Sequence, residues 1–276
     1  MDKPLRILAL GAHPDDCEWA CGGTAARWTS RGDKVRFVAL TNGELGHWKK
    51  EEVGAPLAKR RKSEAFRAAE ILGIDPVVLD TPDGTLTASL EHRKSVVRLI
   101  REWKADVVLG HRPNDYHPDH RAAGALLQDA AYLVTVPHYC PEAPALARNP
   151  LFLHFEDDFT KPQAFQADVV VPIDAVWERK LAALEAMESQ VQEGGCEGGP
   201  ETWPSDQPGR ERRRQELRRN FQDFFQRRAQ KHRERLEARV RFAEAFETCE
   251  YSNSWAGFSK TARNAGADEL KRIFPL

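Results

Sequence analysis

Cysteine is scarce: five residues, at positions 17, 21, 140, 196 and 249 of 276. An odd, widely scattered set in a chain of this length excludes a disulfide framework and reads as reduced thiols. No apolar run approaches the roughly 18 residues of a membrane span. The opening Met1-Asp-Lys-Pro-Leu-Arg6 leads straight into an expected strand without an apolar signal segment, so the expectation is a cytoplasmic protein with no membrane span. There is no internal repeat and no sustained heptad, which excludes solenoids and long coiled coils. The first strand is not followed by the Gly-x-Gly-x-x-Gly that cradles a pyrophosphate. Net charge is nearly absent as well, with 41 Lys and Arg against 42 Asp and Glu.

What the chain does contain is 41% apolar and 30% charged residues, enough to bury a substantial core. Apolar runs alternate with amphipathic segments. Strands are expected at Arg6–Leu10, Val35–Leu40, Val77–Leu79, Ala105–Gly110 and Ala167–Val171. Helices are expected from the Gly22-Gly-Thr24 N-cap to Ser30, and over Leu57–Leu72, Ser89–Trp103, Pro118–Leu133 and Asp174–Gln190. This βαβαβαβα order predicts an α/β fold: a Rossmann-like, doubly wound, mostly parallel sheet with helices on both faces. The stretch from Glu193 to Gly209, with five Gly and three Pro, reads as a loop. Arg210–Phe246 reads as a long charged helix with Leu217, Phe221, Phe224, Phe225, Leu236 and Val240 as its apolar stripe. Between Arg210 and Arg241 there are 13 basic and 5 acidic residues.

Chemistry concentrates in two places. Gly11-Ala-His-Pro-Asp-Asp-Cys-Glu18, at the end of the first strand, puts one imidazole and three carboxylates within six residues. After the fourth strand comes His111-Arg-Pro-Asn-Asp-Tyr-His-Pro-Asp-His-Arg121, in which His117 and His120 are three apart at a helix start. In a sheet ordered 3-2-1-4, strands one and four are neighbours whose connections leave on opposite faces, and that crevice is where ligands bind. Topology therefore joins clusters about 100 residues apart. A catalytic zinc site needs three His, Asp or Glu ligands and an open position, and the joined clusters supply them with carboxylates to spare.

The sequence resembles the PIG-L/LmbE-like family of zinc-dependent N-deacetylases, which act on N-acetylglucosamine conjugates and in some members on other N-acyl substrates. The resemblance rests on Ala12-His-Pro-Asp-Asp-Cys-Glu18 with Gly22-Gly-Thr24, Asn42-Gly-Glu-Leu-Gly46, Arg60-Arg-Lys-Ser-Glu-Ala65 with Ala69-Glu-Ile-Leu-Gly73, Pro82-Asp-Gly84 and His117-Pro-Asp-His120. Ala243-Glu-Ala-Phe246 resembles a late element of the same family. It implies His13, Asp16 and His120 as ligands of Zn2+, with Fe2+ or another divalent metal as alternatives. Two neutral imidazoles and one carboxylate would leave the ion net positive. It implies Asp15 as general base, protonated His117 as oxyanion stabiliser together with the metal, and Asp119 as the group that holds the His117 ring and charge. Glu44, Arg61 and Asp83 match sugar-contacting positions, with Arg60 the alternative to Arg61 under a one-residue shift, and Tyr116 is the nearest aromatic candidate. The whole chain, 1–276, is expected to be one such domain, with 193–241 departing from typical members as a variable insertion.

Plainer roles compete at several positions. Glu18 suits a loop anchor, Cys17 and Cys21 suit small buried packing residues, and Asp119 could cap a helix. His47, His92, His111, His138, His154 and His232 lack a paired context and read as surface or packing residues. The basic helix suits packing on its own domain or on a second copy of the chain, or a lid over an anionic substrate. Nucleic-acid binding fits least, since acidic residues interrupt the charge and no recognition fold surrounds it. The expected function is metal-dependent removal of an N-acyl group, most simply acetyl, from an amino-sugar conjugate. A non-sugar N-acyl amide is the near rival, and a nucleotide- or nucleic-acid-binding module is the rival of a different class.

Overall fold

Along the first strand, Ile7 and Ala9 enter one apolar cluster and Leu8 and Leu10 another, so both faces of the strand are covered. That alternation is the period-two signature of a strand in the middle of a three-layer α/β stack. The computed structural model describes residues 3–253 together with Leu270, Ile273 and Phe274. The rest of the expected 1–276 domain lies outside the described residues. Among the described residues seven strands form one sheet: β1 (Arg6–Gly11), β2 (Lys34–Ala39), β3 (Asp75–Val78), β4 (Val107–Gly110), β5 (Leu151–Phe155), β6 (Val169–Pro172) and β7 (Ala243–Thr248). Their order is β3-β2-β1-β4-β5-β7-β6. The pairings from β3 through β5 are parallel, and β7 runs antiparallel to both of its neighbours. The expected doubly wound, mostly parallel sheet is present, with its reversal between β1 and β4.

Helices α1 (Asp16–Arg31), α2 (Ala55–Leu72), α5 (Trp177–Glu185) and α6 (Gln207–Lys231) contribute to the cluster on one face, and α3 (Leu90–Trp103) and α4 (Pro118–Leu133) to that on the other. No helix among the described residues is long and apolar enough to cross a membrane.

Four elements differ from the sequence reading. Helix α1 begins at Asp16, six residues early, and kinks at Cys21. The kink frees the amides of Gly23 and Thr24, and the buried carboxylate of Glu244 on β7 accepts both, along with the Thr24 hydroxyl. Gly22-Gly-Thr24 therefore does start a capped helical segment, but the cap comes from about 220 residues away. Glu244 is itself paired with the buried Lys180. The expected helix over 174–190 divides into a 3-10 turn, α5 and a π turn at Glu188–Gln192.

The basic helix ends at Lys231 rather than Phe246, and Ala243–Thr248 is strand β7. β7 lies between β5 and β6 and is buried over Ala243–Phe246, so it lacks the polar alternation of a half-exposed strand. Strand β5, Leu-Phe-Leu-His-Phe, is a short, mostly apolar run that the sequence reading leaves unassigned. The apolar stripe of α6 is used within the chain: Phe221, Phe224 and Phe225 all pack on Trp19 of α1, with ring centroids 5.0 to 5.5 Å apart. On its outer side Arg218 forms a two-pronged pair with Glu185, both bonds 2.6 Å.

Candidate active site

Leu10 and Gly110 are register partners at the ends of β1 and β4, and the two motif-bearing loops leave from there. The structure brings His13, Asp15, Asp16, His117, Asp119 and His120 into one cluster. His13 Nδ1 lies 3.2 Å from His120 Nε2. Asp16 Oδ2 lies 3.6 Å from the first and Asp16 Oδ1 3.4 Å from the second. A tetrahedral ion with bonds of about 2.0–2.1 Å has ligand-to-ligand edges of about 3.3–3.4 Å, so these separations are of the size such an ion needs.

Each donor is also held from behind. His120 Nδ1 meets Asp115 at 3.1 Å. His13 Nε2 meets Asp83 at 3.1 Å and Asp119 at 3.3 Å. Asp16 Oδ2 accepts from the His13 amide at 2.7 Å and lies 3.0 Å from His111 Nε2. A carboxylate behind an imidazole fixes the proton on that side and leaves the inward nitrogen as a lone pair, the usual support of a metal-binding histidine. Two ring nitrogens facing each other at 3.2 Å share either a proton or a metal ion. With no ion bound, the surrounding carboxylates favour the proton. Burial opposes a charge on His13, but hydrogen bonds to Asp119, Asp16 and Asp83 outweigh it and push its pKa up to about 12. Burial likewise opposes ionisation of Asp16, but His120 and His111 hold its carboxyl well below the usual range. The donor set fits a divalent ion of the zinc type.

Asp15 sits at the start of α1 with φ 139°, a region that side-chain-bearing residues rarely adopt. Such strain persists only where the surroundings impose it. Here Arg61 does so, reaching the Asp15 carboxylate at 3.0 Å and the Pro14 carbonyl at 2.8 Å through Nη2, and the Gly43 carbonyl at 3.0 Å through Nη1. Gly43 has φ +66°, and a Cβ there would lie 2.4 Å from Arg61 Nη1, so glycine is required on both counts. Burial raises the Asp15 pKa to about 6 against the opposing charge of Arg61. Burial also lifts Glu18 to about 8, so that carboxyl is protonated near neutral pH.

His117 caps α4, its Nδ1 accepting from the Asp119 amide at 3.2 Å. The neutral ring therefore carries its proton on Nε2. The Asp119 side chain does not hold His117. Its carboxylate accepts from the Gly84 and Leu86 amides at 2.7 and 3.1 Å and faces His13, because the turn at Pro82–Gly84 packs over the start of α4. Asp83 is buried between His13 and the Leu45 amide. Arg61 is also buried, whereas Arg60 pairs with Glu193 and Glu64. Glu44 is only half-buried, and its carboxylate accepts from the Asn42 amide group at 3.1 Å. Tyr116 is exposed, with its ring edge-on to His117 and His120.

Two residues of the cluster escaped the sequence reading. His111 is buried against Asp16 and stacks on His120 at 4.1 Å, and is not a bystander. Asp115 orients His120. Their signal was position alone, since both lie in the loop that carries His117 and His120. Beside the cluster a cavity of about 410 Å³ extends from Asp15, Asp16 and His120 to Phe224 and Arg228 of α6.

Comparison with known proteins identifies the family. The profile of the PIG-L family, GlcNAc-PI de-N-acetylase, matches residues 8–131, which include both motif loops. Diacetylchitobiose deacetylase of Thermococcus kodakarensis is 34% identical over 196 residues, covering 68% of this chain and 71% of that protein. 4-Oxalmesaconate hydratase of Pseudomonas putida is 30% identical over 197 residues, covering 69% and 76%. The structure of N,N'-diacetylchitobiose deacetylase from Pyrococcus horikoshii shares the fold with a TM-score of 0.68 at 23% identity, covering 89% of this chain and 84% of that one. The chain belongs to the PIG-L (LmbE-like) family of N-deacetylases.

Proposed function

We propose that this protein is a divalent-metal-dependent hydrolase that removes an N-acyl group, acetyl in the simplest case, from a GlcNAc-type amino-sugar conjugate. The observation that carries the reading is the facing pair His13 Nδ1 and His120 Nε2, with the Asp16 carboxylate within 3.6 Å of both and Asp15 next to it in the chain. His13, Asp16 and His120 would hold the ion, zinc by preference and Fe2+ as the alternative. When bound, it polarises the amide carbonyl and acidifies water.

The chain's own groups account for the proton transfers. Asp15, with its pKa lifted to about 6, takes a proton from the attacking water and returns it to the departing amine. His117 presents its Nε2 proton to the oxyanion that develops on the acyl oxygen, and does so as a neutral ring. Asp119 and Asp83 act through His13, Asp115 through His120, and Arg61 through Asp15. Glu44, half-buried in the loop after β2, is the residue of the three matched sugar contacts best placed to accept from a sugar hydroxyl. We treat 1–276 as one domain, since β7 beyond the 193–241 segment completes the sheet that carries the site.

The test is amine release from a panel of N-acetyl amino sugars and non-sugar N-acyl amides. Turnover of the sugars above the other amides supports the proposal, and turnover of the others alone overturns the sugar assignment. The likeness to the hydratase supports one second reading, addition of water to a small acid such as 4-oxalmesaconate. Assay with 4-oxalmesaconate in the same panel distinguishes it.

A further inference from the structure

We propose that the enzyme accepts N-acyl groups well beyond acetyl and holds the acyl chain in the cavity between the catalytic cluster and α6. The proposal rests on the N-deacylase reading above. At about 410 Å³ the cavity falls within the range of about 300–1,000 Å³ typical of sites that enclose whole small ligands, and a methyl group would leave it nearly unfilled. One end is formed by Asp15, Asp16 and His120, and the walls by Trp19, Phe155, Phe159, Leu184, Val191 and Phe224. An apolar wall that begins at the proposed catalytic groups suits an alkyl or aryl chain attached to the reacting carbon.

Sheet order decides which half of the substrate enters. The two substituents of an amide leave the carbonyl carbon and nitrogen in opposite directions. Glu44 and the Pro82–Gly84 turn follow β2 and β3, on one side of the β1–β4 crevice, and Phe155 and Phe159 lie at and after β5, on the other. With the amino sugar toward Glu44, the acyl group points toward β5 and α6. At the α6 end of the cavity Arg228 and Glu156 form a buried ion pair, Nε to Oε2 3.9 Å, and close it off.

The basic helix acquires a role on this reading. Its Phe224 and Arg228 shape the chain pocket, so the segment that departs from typical family members sets acyl selectivity. In the reaction, the oxygen of water joins the acyl carbon, the C–N bond breaks, and a water proton passes to the amine. The products are the free acid and the free amine.

The experiment is amine release by the metal-loaded protein from N-acetyl-, N-butanoyl-, N-hexanoyl- and N-octanoylglucosamine. Each methylene that enters the cavity should raise kcat/KM about fourfold, equivalent to about 0.8 kcal/mol, until the pocket is full. Val191→Trp, which fills the cavity, should lower the hexanoyl-to-acetyl ratio of kcat/KM at least tenfold. Phe159→Ala, at a side chain 36% exposed and so tolerant of change, should lower it severalfold. The wild-type series decides the matter even if Val191→Trp does not fold. Cleavage of the acetyl compound with rejection of every longer chain overturns the chain pocket alone. Absence of amine from every member overturns the deacylase reading and this proposal with it.

Discussion

His13 Nδ1 and His120 Nε2 face each other at 3.2 Å, and each ring turns its other nitrogen to a carboxylate, Asp83 and Asp119 for His13 and Asp115 for His120. The arrangement fixes the orientation of both rings. Loss of one supporting carboxylate should therefore loosen the ion without removing a ligand. Asp115→Asn should weaken zinc affinity by about 10- to 100-fold, measured by competition with a chromogenic chelator. Unchanged affinity would remove Asp115 from its role behind His120.

Asp15 is adjacent to a proposed ligand but is not proposed as one. Asp15→Asn should retain metal and lower kcat by about 10²- to 10⁴-fold, the usual contribution of a positioned general base. Metal analysis together with turnover on an N-acetyl amino sugar checks both halves. A variant that turns over normally would rule out Asp15 as the base.

The pH dependence follows from the same residue. The base must be ionised, so kcat/KM should fall as pH drops through about 6, where burial places the Asp15 pKa. Arg61 holds that value down, and Arg61→Met should move the acid limb of the profile to higher pH. A limb that stays in place would mean that the Arg61–Asp15 pair does not tune the base.

His154 provides a stability prediction that does not depend on the reaction. Its Nδ1–H donates to the His111 carbonyl at 2.8 Å, and burial lowers its pKa from 6.5 to about 4. The unfolded chain takes up this proton at a higher pH than the folded one. The stabilisation from keeping the ring neutral is therefore complete above about pH 6.5 and is lost as pH falls toward 4. It amounts to up to about 3 kcal/mol. In urea unfolding at pH 7, 5 and 4, His154→Gln should flatten this part of the acid sensitivity. Parallel profiles for the two proteins would contradict the assignment.

The residues legible in the sequence were those packed into short motifs directly after strands. His13, Asp15, Asp16, His117 and His120 all lie within ten residues of a strand end, and the alternation of strands and helices was enough to bring β1 and β4 together. What stayed hidden depends on distant partners. Glu244 completes the cap of α1 from the far end of the chain, so the kink at Cys21 looked like a helix start. Strand β7 is buried on both sides and follows a charged helix, so nothing in its local pattern separated the two. His111 and Asp115 differ from surface polar residues only in what they face. Asp119 lies one position from His120 and two from His117, yet its carboxylate serves the ring of His13 across the crevice.

The central claim is that His13, Asp16 and His120 form a divalent-metal centre, and metal content per chain tests it most directly. Purified protein exposed to zinc and then desalted, measured by inductively coupled plasma mass spectrometry, should hold about one equivalent. The Asp15→Asn protein should hold the same, and the His13→Ala, His120→Ala double variant should hold none. Wild-type protein that binds no divalent metal, or a folded double variant that retains it as tightly, would contradict the account.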